Sequence, residues 1–138
     1  MGKVLIFQNN SNESERLNTE LMSAGYMVAS VDDIHQMENR AREIQPDIVI
    51  LDIDGLSNEG IETCRMMTND NSPARHIIIL SERNNLATKL SYLVAGAKKY
   101  VSKPLTPHNL LCEMEKLLNP DGNVADLSNG GRVRPSTA

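Results

Sequence analysis

An α/β fold built on a doubly wound, five-stranded parallel sheet is predicted by three observations. Short runs rich in Ile and Val recur along the chain, at residues 4–7, 48–51, 77–80 and 100–101. Stretches with helical periodicity separate them. Each run ends at a polar residue: Gln8-Asn9, Asp52, Ser81 and Ser102-Lys103. Apolar runs this short, without alternation, fit strands covered on both faces, as parallel strands are, and parallel strands need helical crossovers. With strand order 2-1-3-4-5 the switch point falls between the first and third strands, and the polar strand ends gather in that crevice.

Residues 3–7 are the first strand. Residues 10–12 offer N-cap side chains, and Glu13, Glu15 and Glu20 favour a helix carrying Leu17, Leu21 and Met22 that stops at Gly25. Residues 26–31 are the second strand. Ile34, Met37, Ala41 and Ile44 recur at three and four residues, which predicts an amphipathic helix capped by Asp32 or Asp33 and ended before Pro46. Residues 47–51 are the third strand. The turn formers of 52–58 read as an exposed loop, followed by a helix with Ile61, Cys64 and Met67 on one face.

A loop over 69–75 leads to the fourth strand, residues 76–80. Leu86, Leu90, Leu93 and Val94 mark the fourth helix, closed by Gly96 before the fifth strand at 99–102. Pro107 opens the last helix, whose stripe is Leu110, Leu111, Met114, Leu117 and Leu118. From Asn119 onward Gly, Asn, Ser and Pro dominate. The expected organisation is one domain over residues 1–118 and a flexible tail or linker over 119–138.

With 138 residues and 40% hydrophobic content, the chain can bury a single core without disulfides or metals. Its only aromatics are Phe7, Tyr26, Tyr92 and Tyr100, so Met, Ile and Leu do the filling. The net charge is −4, and the tail's Asp121 and Asp126 cancel against Arg132 and Arg134. A mildly acidic body gives no electrostatic reason to expect direct contact with nucleic acid or an anionic membrane. Cys64 and Cys112, far apart in separate predicted helices, read as reduced thiols. His35, His76 and His108 show no zinc-ligand spacing. Without a signal peptide or a run of membrane-spanning length, the expected location is the cytoplasm.

An Asp, a Ser and a Lys at neighbouring strand ends place an acid, a hydroxyl and an ammonium around one point. The stretches carrying them are Pro46-Asp47-Ile48-Val49-Ile50-Leu51-Asp52, Gly60, Ile77-Ile78-Ile79-Leu80-Ser81, and Ala95-Gly96-Ala97-Lys98-Lys99-Tyr100-Val101-Ser102-Lys103-Pro104. In this order and spacing they resemble the receiver domains of two-component response regulators, over residues 3–118. The resemblance implies a flavodoxin-like three-layer fold. It also implies a phosphoacceptor at Asp52, a hydroxyl at Ser81 that bonds the phosphoryl group, a cationic partner at Lys103 and a switch aromatic at Tyr100. The implied partners are a histidine kinase or phosphotransfer protein upstream and a downstream protein or fused output domain, with a homodimer as a further option. The interaction face would lie on the fourth helix, fifth strand and fifth helix, where Lys89, Tyr92, Val101, Pro107 and Asn109 are candidates.

These roles suit the residue types. A carboxylate attacks phosphohistidine once charge on the transferring oxygens is neutralised, so positioning and electrostatics do most of the work. A Ser81 hydroxyl bound to a phosphoryl oxygen pulls its loop inward, and the space vacated lets Tyr100 turn in.

The departures are informative. Gln8-Asn9 replace the family's acidic pair, and Mg²⁺ prefers carboxylates to amides. Each carboxylate lost at about 4 Å is a gross Coulomb term of roughly 4 kcal/mol per unit of metal charge, partly offset by desolvation. Mg²⁺ is therefore expected to bind weakly or not at all, with Asp52 and Asp54 as the metal ligands if it does. By the resemblance Asp54 stands at a position that borders the pocket and could partly replace the missing pair, Glu82 stands where the family has a small residue and is expected to obstruct it, and Leu56 replaces a proline. One alternative is a pseudo-receiver, a protein-binding module that works without Mg²⁺-dependent phosphorylation. A second reads Asp52-Ile53-Asp54-Gly55 as the first motif of haloacid-dehalogenase-type phosphatases, whose downstream acidic pair is missing here. Ser81 also has the chemistry to cap the fourth helix.

Overall fold

A computed structural model describes residues 2–8, 11–68, 76–104 and 106–119, the side chains of 11–14 excepted. Its strands are β1 (Lys3–Phe7), β2 (Met27–Val31), β3 (Ile48–Asp52), β4 (His76–Ser81) and β5 (Lys99–Ser102). Its helices are α1 (Ser11–Ser23), α2 (Met37–Ile44), α3 (Asn58–Met66), α4 (Leu86–Val94) and α5 (Pro107–Leu118). All strand pairs are parallel and the sheet order is β2-β1-β3-β4-β5, as expected. The chain divides between Leu105 and Thr106 into two units, the first holding the sheet and α1–α4, the second holding α5.

In the first unit, β1, β3 and β4 are buried along almost their whole length, which their unbroken Ile, Val and Leu content dictates. Successive side chains alternate between faces. Leu5, Phe7, Val49, Leu51, Ile77 and Ile79 pack with Met37 and Ala41 of α2, Cys64 of α3 and Tyr92 of α4. Val4, Ile6, Ile48, Ile50, Ile78 and Leu80 are buried too, while Leu17 and Leu21 of α1 lie outside that first cluster.

Local signals set most boundaries. Gly25, at φ 101°, ends the α1 segment in the left-handed region that glycine enters without cost. The second predicted helix is split: Ile34–Gln36 is a 3₁₀ turn capped by Asp33, whose carboxylate accepts the His35 N–H at 3.0 Å, and α2 follows. Asn85, not Ser81, caps α4, accepting the Thr88 N–H at 2.8 Å. The apolar residues that mark α4 predicted a helix correctly but face outward: Leu86 is 67% and Val94 87% exposed, while Tyr92 is the buried one.

In the second unit, Thr106 caps α5 by accepting the Asn109 N–H at 3.1 Å, with Pro107 at the first turn as expected. Both cysteines are free thiols. The predicted 69–75 loop, the N-cap residue Asn10 and the 120–138 segment lie outside the described residues.

Candidate functional site

Strand register brings the predicted polar ends together. Asp52 pairs with Leu80 across β3 and β4, and Ser81 pairs with Ser102 across β4 and β5. Lys103 follows directly, its N–H donating to the Ser81 carbonyl at 2.8 Å. Gln8 and Asp52 each directly follow the paired Phe7 and Leu51 of β1 and β3. Asp52 and Ser81 are buried, and the Lys103 side chain is only 14% exposed.

The acid and the amine meet as expected: Lys103 Nζ lies 2.6 Å from Asp52 Oδ2. The same ammonium is 3.0 Å from Asp54 Oδ2, so it bridges two carboxylates two residues apart. The Asp54 N–H donates to Asp52 Oδ1 at 3.1 Å, a local turn that sets the second acid beside the first. Ser81 turns to Asp54 instead of Asp52, its hydroxyl donating to Oδ1 at 2.9 Å. The Glu82 N–H donates to both Asp54 oxygens, at 3.1 and 3.0 Å.

Burial works against charge on Asp54, but hydrogen bonds from Lys103, Ser81 and the Glu82 N–H outweigh it and hold the carboxyl below its ordinary value. Burial likewise opposes charge on Lys103, and the two carboxylates reverse the balance, raising its pKa. Both groups are charged at neutral pH.

Tyr100 is half-buried, its ring centroid 6.2 Å from that of Tyr92, and its hydroxyl donates to the Arg83 carbonyl at 2.9 Å. Arg83 went unanticipated. Its N–H donates to Ser81 Oγ at 2.9 Å, and its Nη2 donates to the carbonyls of Ile53 at 3.0 Å and Leu56 at 3.4 Å, clasping the loop after β3. A cation two residues past a strand-end hydroxyl was the available signal. Leu56 donates its N–H to the Ile53 carbonyl at 3.0 Å, a bond that a proline at this position cannot make.

Other expected site residues divide. The Glu82 side chain is exposed and its contribution is the backbone N–H, so the expected obstruction by its carboxylate is not what the geometry shows. Gln8 is buried, and its Oε1 meets no hydrogen-bond donor. Asn9 lies outside the described residues. Of the proposed interaction residues, Lys89 and Val101 are partly exposed in the first unit, and Pro107 and Asn109 belong to the second. Tyr92 is a correction: at 2% exposed it belongs to the core and offers no surface to a partner.

The Mg²⁺ expectation meets a poor donor set. Among the described residues Gln8 offers a buried amide oxygen without a hydrogen-bond partner, and both Asp54 oxygens are engaged by Ser81, Glu82 and Lys103. No group of three His, Cys, Asp or Glu side chains suited to a metal occurs among the described residues. The described residues do not fit Mg²⁺ well, and Asp54 is turned to other partners.

Residues 4–115 match the family described as response regulator receiver domain. Among curated proteins, the chain is 28% identical over 124 residues to the transcriptional regulatory protein PhoP of Escherichia coli O157:H7, covering 89% of this chain and 55% of that one. It is 27% identical over 126 residues to the DNA-binding response regulator MtrA of Mycolicibacterium paratuberculosis, covering 91% and 55%. The chain spans about half the length of the curated relatives it matches. Among solved structures, the BeF3-activated N-terminal receiver domain of Klebsiella pneumoniae RstA superposes with TM-score 0.76 at 20% identity, covering 85% of this chain and 98% of that one, a likeness of fold. None of these likenesses supports the pseudo-receiver alternative or the phosphatase reading.

Proposed function

The chain belongs to the response regulator receiver domain family of two-component signalling, and on that footing we propose that Asp52 is its phosphoacceptor, served by Ser81 and Lys103. One observation carries the reading: the Lys103 ammonium lies 2.6 Å from a buried strand-end carboxylate, with a buried hydroxyl at the adjacent strand end.

An Asp52 oxygen attacks the phosphorus of a phosphohistidine, the N–P bond breaks, and its electron pair returns to the imidazole ring. Lys103 neutralises charge on the transferring oxygens. Ser81 then donates its hydroxyl to a phosphoryl oxygen, and Tyr100, tied through Arg83 to the Ser81 loop, registers the change. In the family, Mg²⁺ assists this transfer. The weak donor set among the described residues supports slow transfer.

The domain acts as a signalling module, with self-phosphorylation and self-dephosphorylation as its only chemistry. A histidine kinase or phosphotransfer protein supplies the phosphoryl group. The outward apolar side of α4, with Leu86, Leu90, Leu93 and Val94, supports contact with a downstream protein, an output domain or a second copy of the chain. Cytoplasmic residence accords with this role, and no helix among the described residues is long and apolar enough to cross a membrane.

Incubation with acetyl phosphate, with and without Mg²⁺, tests the assignment by intact mass. Wild type gains one phosphoryl group and Asp52→Asn gains none. No gain at millimolar donor, or an equal gain in the variant, overturns it.

A further inference from the structure

We propose that Asp54 is an intramolecular occupant of the phosphoryl pocket, so that a phosphoryl group or other compact oxyanion enters only by displacing its carboxylate. The donor set is the first argument. Ser81 Oγ, the Glu82 N–H and Lys103 Nζ converge on the Asp54 carboxylate from the ends of two adjacent strands, at 2.9 to 3.1 Å. Two neutral donors and a cation aimed at one anionic group are the parts of an oxyanion cradle.

A simple ion pair would need only Lys103. The Ser81 hydroxyl is 0% exposed and would be left without an acceptor if Asp54 withdrew, which a buried donor does not tolerate cheaply. The carboxylate therefore completes the pocket as well as neutralising a charge.

A run of hydrogen bonds continues from Ser81 to Tyr100. Ser81 accepts from the Arg83 N–H, the Arg83 carbonyl accepts from Tyr100, and the Arg83 guanidinium holds the carbonyls of Ile53 and Leu56. The loop expected to bond a phosphoryl oxygen is bonded here to a carboxylate. Asp54 and an incoming oxyanion thus compete for the same three donors, and each weakens the other's hold by the same factor.

That the displaced ligand is a phosphoryl group rests on the reading of Asp52 as acceptor; the occupancy itself does not. The test therefore avoids phosphoryl transfer. The 138-residue wild type, Asp54→Ala and Asp54→Asn are titrated with sodium formate and, separately, inorganic phosphate, with chloride at equal ionic strength as control. Backbone amide signals of Ser81, Glu82 and Arg83 and the ring signals of Tyr100 are followed by NMR. In Asp54→Ala these signals leave their wild-type positions, formate returns them, and formate binds roughly tenfold or more tightly than to wild type. Asp54→Asn, which keeps an acceptor oxygen without the charge, gains less, and it carries the test if Asp54→Ala does not fold. Unmoved signals in the variants, or formate binding no tighter than to wild type, overturn the proposal. A chain that never phosphorylates Asp52 can still pass, and one that does can still fail.

Discussion

The Tyr100 hydroxyl donates to the Arg83 carbonyl at 2.9 Å, tying the start of β5 to the loop after β4. This one bond connects the aromatic ring to the segment that holds Ser81, so the ring's position depends on where the loop sits. Tyr100→Phe keeps the packing against Tyr92 and removes only the bond. The expected loss is about 0.5–1.5 kcal/mol by denaturant titration, with faster amide exchange at Arg83 and Asn84. Unchanged exchange there would show that the bond does not restrain the loop.

Gly60 marks a second close approach, to the other tyrosine. A Cβ at Gly60 would run into the Tyr92 hydroxyl, and Tyr92 is buried in the core. Gly60→Ala is expected to cost about 1–3 kcal/mol, because a packed core relieves overlap only by shifting. Tyr92→Phe removes the obstructing oxygen, so the double variant should lose less than the sum of the single losses. Additive losses in chemical denaturation would mean the alanine is strained by something other than Tyr92.

The sheet and its order were legible because parallel strands buried on both faces leave an unbroken Ile and Val signature, as in residues 77–80. The meeting of Asp52 with Lys103 was legible for the same reason, since strand ends in one sheet converge. Two things were not. Periodicity at Leu86, Leu90, Leu93 and Val94 identified a helix but not its orientation, because an apolar stripe has the same spacing whether it faces the core or the outside. Ser81 bonding Asp54 was also out of reach, because that choice depends on a turn at residues 52–54 whose geometry spacing alone does not specify.

The outward stripe makes its own prediction. Leu90→Glu and Lys89→Glu should leave folding stability within about 0.5 kcal/mol, since neither side chain is buried in the core. Self-association measured by sedimentation, or capture of a downstream partner, should weaken. If both variants associate as wild type does, α4 is not the contact surface.

Burial pushes the Cys64 thiol up to about 11 from an ordinary value of 9.0. A group whose folded pKa is raised stabilises the fold below the unfolded value and loses that contribution as pH rises toward the folded one. Part of the stability of wild type should therefore fall away between pH 9.0 and about 11, and Cys64→Ala should flatten that limb. At pH 8, native chain treated with iodoacetamide should be modified at the partly exposed Cys112 and spared at Cys64, with both alkylated after unfolding. Rapid native alkylation of Cys64 would contradict its burial.

Lys103 is the residue whose loss separates the site's two carboxylates from their only shared cation among the described groups. In Lys103→Met, Asp52 and Asp54 lose the ammonium they share, and the expected cost is about 1–3 kcal/mol, with phosphoryl acceptance abolished. Asp54→Asn in the same chain removes one of the opposed charges while keeping an acceptor for Ser81. The double variant should therefore recover part of the stability lost in Lys103→Met but none of the phosphoryl acceptance, because Asp52 still lacks its cation. Denaturation midpoints and intact mass after acetyl phosphate separate the two outcomes. Recovery of phosphorylation without recovery of stability would mean that Asp52 does not need Lys103 as its cation.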